Sequence, residues 1–165
     1  MLLKAVIAGL TMDPATNTPI IILKTEEGDQ AVPIWIGLLE ATSIASALQN
    51  VKFDRPMTHD LFKSFVELQN TAIAGVEVVD IRDNTFYARI NFISEEKTFS
   101  MDARPSDAIA LALRFKAPIY MDEKVLAKSR VGEGKGKAEA VDDSEEGKKW
   151  ADYLEKLSPD EFGKV

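Results

Sequence analysis

Residues 102 to 114 read D-A-R-P-S-D-A-I-A-L-A-L-R, and they constrain the fold more than any other stretch of the chain. Ala108, Ile109, Ala110, Leu111, Ala112 and Leu113 are apolar in every direction around a helix axis. A helix that is hydrophobic all round is buried on all sides, so other elements must wrap it. Its entrance is different. Pro105 suits the first helical turn, Ser106 and Asp107 can cap or complement the free amides, and Asp102 and Arg104 lie just before them. Any chemistry carried by this segment belongs at that end.

The wrapping elements are legible from periodicity. Residues 2–12, 19–25 and 30–36 read as three short strands turning at D-P-A-T-N-T and E-E-G-D. A helix from about 38 to 50 follows Gly37, with Leu39, Ile44 and Leu48 on an apolar face and Glu40, Ser43, Ser46 and Gln49 on a polar one. Thr58 suits the N-cap of a second helix through about Gln69, whose Leu61, Phe62, Phe65, Val66 and Leu68 recur at helical spacing. A second meander spans 75–82, 85–93 and 97–102, turning at Asp83-Asn84 and Ser94-Glu95. In its last strand Asp102 falls on the polar side, with Thr98 and Ser100. A short strand at 118–121 and a short helix at 123–129 complete the pattern. The fold class expected is α+β: two antiparallel β-meanders with packed helices in a single domain, 1–130. A flexible acidic linker, 131–144, and a helical tail, 145–165, are expected beyond it, the tail docking on its own domain, a second subunit or a protein partner.

Composition narrows the function classes. With 165 residues and 45% hydrophobic content, the chain can bury a real core but cannot hold a second catalytic domain. It has no cysteine, hence no disulfide framework, thiolate metal site or cysteine nucleophile. No apolar run is long enough to cross a bilayer, and the first residues read as a strand rather than a secretion signal, so a cytoplasmic location without membrane attachment is expected. Residues 1–130 carry 14 Lys/Arg against 17 Asp/Glu, within a net charge of -7 for the whole chain. That balance excludes a broad basic nucleic-acid-binding surface, because phosphate neutralisation supplies most non-specific affinity. A polyanionic substrate would be held weakly, at one local site. Phosphate-loop, H-E-x-x-H and nucleophile-elbow motifs are absent.

P-I-W-I-G at 33–37 followed by Glu40-Ala41, R-P-M-T-H-D-L at 55–61, T-F-Y-A at 85–88 and the motif at 102–114 occur in this order. Together they make the chain resemble the bifunctional nuclease family of bacteria and plants over roughly residues 1–130. The resemblance implies hydrolysis of DNA and RNA phosphodiesters, a wedge-shaped homodimer and an active-site groove.

Nuclease chemistry commonly needs carboxylates to hold Mg²⁺ or Mn²⁺, an activated water, and Arg or Lys against the developing charge. Asp102, Asp107 and Glu40 are the candidate metal ligands, and Glu40, His59, Asp60, Asp102 and Asp107 the candidate catalytic groups. Arg55, Arg104 and Ser106 are the candidate substrate contacts. His59, the only histidine, is the sole side chain with a reference pKa near neutrality. Each residue also has an ordinary structural role. Ser106 and Asp107 can cap their helix while Arg104 pairs with Asp102, Glu40 suits a helix start, Trp35 belongs to a core, and Arg55 can simply be solvated. Two rival functions follow: a non-enzymatic dimeric binding or regulatory module, and a pocket for a small anion at the Ser106 entrance.

Overall fold

The computed structural model describes residues 1–132, 134–135, 144–146 and 148–149; the linker and tail expected at 131–144 and 145–165 lie largely outside them. The first meander is β1 (Leu2–Met12), β2 (Pro19–Thr25) and β3 (Ala31–Trp35). Two helices follow, α1 (Leu38–Leu48) and α2 (Thr58–Leu68). The second meander is β4 (Thr71–Arg82), β5 (Thr85–Ser94) and β6 (Thr98–Ala103). Helix α3 (Pro105–Phe115), strand β7 (Ile119–Asp122) and helix α4 (Glu123–Arg130) come last. This is the expected α+β single domain.

The two meanders form one seven-stranded sheet in the order β3-β2-β1-β7-β4-β5-β6. Strand β7 joins them, antiparallel to β1 and parallel to β4. Gly75 permits that junction, since a side chain there would press on the Pro118 carbonyl and the Tyr120 ring, each 3.3 Å from its Cβ. The strand was expected to start at residue 75. It starts at 71 because Thr71, Ala72 and Ile73 pair with Ser94, Ile93 and Phe92 before an irregularity at Gly75.

Helix α3 packs against β4 and β5 and also against α1 and α2, which is why it needs no polar face. Ala108 through Ala112 are buried, and full burial of a side chain such as Ile109 contributes about 1.5–3 kcal/mol. Pro105 occupies the first turn as expected, and the helix ends at Lys116 in the left-handed conformation. Among the described residues no helix is long and apolar enough to cross a membrane.

Three local expectations are corrected. On α1 the buried residues are Ala41, Ile44 and Ser46, while Leu39 is 81% exposed. On α2 only Val66 is buried, and Leu61, Phe65 and Leu68 face outward. The N-cap of α2 is Met57 rather than Thr58, with the Asp60 carboxylate accepting the Met57 N–H at 3.1 Å.

Candidate functional site

Glu40 and Ser43 sit three residues apart on α1, hence on one face. Glu40 occupies the first turn, and its carboxylate folds back over Gly37, where a Cβ would collide with it. The start of α2 brings His59 toward Ser43, with His59 Nδ1 2.8 Å from Ser43 Oγ. The entrance of α3 supplies Asp107, whose Oδ1 lies 2.9 Å from His59 Nε2. Arg104, at the α3 N-cap, donates to Asp107 through Nε at 2.8 Å and Nη2 at 3.1 Å, and to Glu40 through Nη1 at 2.9 Å.

These contacts fix protonation. Burial alone would raise the Asp107 pKa, but hydrogen bonds from His59 and Arg104 outweigh it and hold the carboxyl at about 2. Asp107 is therefore ionised at neutral pH and can only accept. In the neutral imidazole the proton then sits on Nε2, leaving the Nδ1 lone pair to accept the Ser43 hydroxyl. The Arg104 guanidinium is held charged, first by its bond to Asp107.

Arg114, at the far end of α3, supports the cluster from behind. It donates to Asp60 through Nε at 2.7 Å, to the Ala110 carbonyl at 2.9 Å, and to the Ser43 carbonyl through both Nη atoms at 3.3 Å. Burial would raise Asp60, but Arg114 and the Met57 amide bring its pKa below the ordinary value. A cavity of about 340 Å³ opens beside Ser43, His59, Arg104 and Asp107, its apolar wall provided by Leu39, Phe53 and Met57. Ser43, His59, Arg104 and Asp107 are each paired, yet they face accessible space.

Of the residues expected at a site, Glu40, His59, Arg104 and Asp107 converge, with Asp60 one contact further out. Asp102 does not join them. It pairs in register with Arg89, and cross-strand partners share a sheet face; the alternate residues Phe86, Ala88, Ile90 and Phe92 are the buried ones that meet the core. Asp102 is therefore on the opposite face, exposed, and Arg104 pairs with Asp107 and Glu40 instead of with it. Arg55 is exposed in the connection before α2 and does not line the cavity. Ser106 is fully buried and faces no solvent, so it offers no hydroxyl to an anion from outside. The α3 N-cap residue, Arg104, makes no side-chain cap bond, and its guanidinium goes to Asp107 and Glu40. Trp35 is a core residue whose Nε1 donates to Asp13 at 2.8 Å.

Ser43 and Arg114 were not singled out by the sequence. The signals were present: a serine one turn beyond Glu40, and an arginine closing an otherwise apolar helix. The metal trio Glu40, Asp102 and Asp107 is not assembled, and no group of three or more His, Cys, Asp or Glu able to hold a metal occurs among the described residues.

Residues 21–133 match the bifunctional nuclease domain. The chain is 35% identical over 159 residues to an uncharacterized protein of Mycobacterium tuberculosis, covering 94% of this chain and 95% of that one. It is 31% identical over 109 residues to bifunctional nuclease 1 of Oryza sativa subsp. japonica, covering 64% of this chain and 33% of the relative. Bifunctional nuclease 1 of Arabidopsis thaliana is 32% identical over 110 residues, covering 64% of this chain and 34% of the relative.

Proposed function

Because the chain belongs to the bifunctional nuclease family, we propose that it hydrolyses phosphodiester bonds of DNA and RNA at the cavity beside His59. The observation that carries this is the orientation of His59. Asp107 accepts the Nε2–H hydrogen bond, so the Nδ1 lone pair is turned toward the Ser43 hydroxyl and can act as a base. Arg104 stands on the same cavity wall as the countercharge to a phosphoryl oxygen, and its guanidinium fork suits that geometry. Glu40 holds the third side of the fork and fixes its plane. Asp60, through Arg114, positions α1 against α3.

A Mg²⁺ or Mn²⁺ ion bound by Glu40, Asp102 and Asp107 does not fit this arrangement. Asp102 is on the other sheet face, and both Asp107 oxygens and Glu40 Oε1 already accept from Arg104. Affinity for nucleic acid is low, in keeping with 17 acidic against 14 basic residues in 1–130, and contact is confined to the cavity.

The protein acts as a homodimer. Leu61, Phe65 and Leu68 form an outward apolar stripe on α2. An exposed apolar stripe of this kind is what a self-complementary interface covers.

The second reading is a binding module, favoured by the donation of Arg104 to two carboxylates. One experiment separates the two. Purified protein is assayed on single- and double-stranded DNA and RNA beside a His59→Asn variant. Cleavage that follows the protein through purification and disappears in the variant supports the hydrolase. Cleavage unchanged by the substitution assigns the activity elsewhere, and its absence from the intact protein leaves the binding module.

A further inference from the structure

Building on the phosphodiesterase reading above, we infer that Ser43 is the nucleophile of this site and forms a covalent phosphoseryl intermediate with the phosphodiester. Three observations converge on its hydroxyl. The first is its partner: Ser43 Oγ lies 2.8 Å from His59 Nδ1, and Asp107 occupies the other ring nitrogen at 2.9 Å. Hydroxyl, base and orienting carboxylate thus come from three different helices.

The second is its direction. Hydroxyls inside helices ordinarily bond back to a carbonyl of the preceding turn. Thr42 does so to Leu38 at 2.8 Å, Ser46 to Ser43 at 2.9 Å, and Ser64 to Asp60 at 3.0 Å. The Ser43 hydroxyl turns to the imidazole instead. The third is its support. The Ser43 carbonyl receives Ser46 Oγ and both Nη atoms of Arg114, so the backbone carrying the hydroxyl is pinned while the side chain lines the cavity.

The substrate class follows from the surroundings. Amides in the middle of α1 are consumed by the helix and cannot form the amide oxyanion hole that a carboxylic ester needs. The cationic group on the cavity wall is the Arg104 guanidinium, whose Nη1 and Nη2 each keep one N–H beyond those given to Glu40 and Asp107 and can offer it to a phosphoryl oxygen. In the first step Ser43 Oγ attacks phosphorus, its proton passes to His59 Nδ1, and the P–O bond to the leaving ester oxygen breaks. That oxygen departs on the opposite side and takes a proton from solvent. In the second step water attacks phosphorus and gives its proton to solvent. The bond to Ser43 Oγ then breaks, and the oxygen recovers the proton held by His59. The product is a phosphomonoester, and the enzyme is regenerated.

The test uses the unmodified protein and a fluorophosphonate, in which the P–F bond breaks as the Oγ–P bond forms. Peptide mapping by mass spectrometry is expected to place one phosphonyl group on Ser43, with labelling lost in Ser43→Ala and slowed at least tenfold in Asp107→Asn. Acid-quenched reactions with a labelled oligonucleotide are expected to retain label on the protein. Nuclease activity without any Ser43 adduct, and retained by Ser43→Ala, overturns the inference and leaves the hydrolase intact. A Ser43 adduct without cleavage of any nucleic acid upholds the nucleophile and removes the nuclease. Absence of both overturns both. The mapping needs no variant to fold.

Discussion

His59 Nε2 lies 2.9 Å from Asp107 Oδ1, although 48 positions separate the two residues in the chain. The contact exists only while α2 lies against α3, so this hydrogen-bonded chain is assembled by tertiary packing and by no local motif. Replacing Asp107 with Asn keeps the shape, removes the charge and allows the wrong imidazole tautomer. Nuclease kcat/KM is expected to fall on the order of 100-fold or more, the usual scale for losing an oriented base. Steady-state cleavage of a fluorogenic oligonucleotide measures this, and a variant as active as the parent removes His59 from the chemistry.

Asp102→Asn should behave quite differently. Its carboxylate is exposed on the sheet face opposite the cavity, in register with Arg89. Activity should stay within about twofold of the parent, since no contact to the reacting groups is lost. A large fall in kcat at unchanged thermal stability would place Asp102 at the site after all.

Acid should expose the same electrostatics. The Asp107 carboxyl is held at about 2, against 3.8 for the unperturbed group. A carboxylate depressed in the folded state contributes stability that is complete above its unfolded pKa and is lost as pH falls through the folded one. The contribution is about 2 kcal/mol, lost between roughly pH 4 and pH 2. Asp60 and Asp80, both also lowered, add to the same limb. Thermal melts across this range should show a shallower acid limb for Asp107→Asn, and superimposable limbs would refute the assignment.

The alternation that located the strands already placed Asp102 on the polar side of β6, and only its nearness in sequence to Arg104 suggested a common site. Two residues of chain suffice to cross from one sheet face to the start of α3, so sequence neighbours parted company there. The buried nature of α3 was legible because six consecutive apolar residues leave a helix no wet face. The Ser43–His59–Asp107 relay was not, since helical periodicity says which residues share a face but not which helices meet. The outward turn of Leu61, Phe65 and Leu68 was hidden for a related reason: an apolar stripe looks the same whether its partner is in the same chain or another.

That stripe yields a hydrodynamic prediction. Phe65→Glu combined with Leu68→Glu should convert the proposed dimer to a monomer in sedimentation velocity at micromolar concentration, with α-helical content preserved. A parent protein that sediments as a monomer would show that the patch serves something else.

Chelation tests the donor set. Arg104 already bridges Glu40 and Asp107, and no three-donor cluster occurs among the described residues. Cleavage in excess chelator is expected to remain within about twofold of that in Mg²⁺ or Mn²⁺. Complete loss, restored by one cation, would mean that the carboxylates rearrange around an ion and that Arg104 gives way.

Strand β7 pairs with β1 and β4 at once, so neither half of the sheet is complete until residue 122 has been made. A nascent chain emerging from the ribosome carries two half-sheets, each with a bare border where β7 will later insert, and such borders invite association with other chains. The long-range zipping that closes them makes maturation slow relative to a local helical fold. Translation that stops short of Ile119 therefore releases one chain with two unjoined, sticky half-sheets rather than a smaller version of the fold.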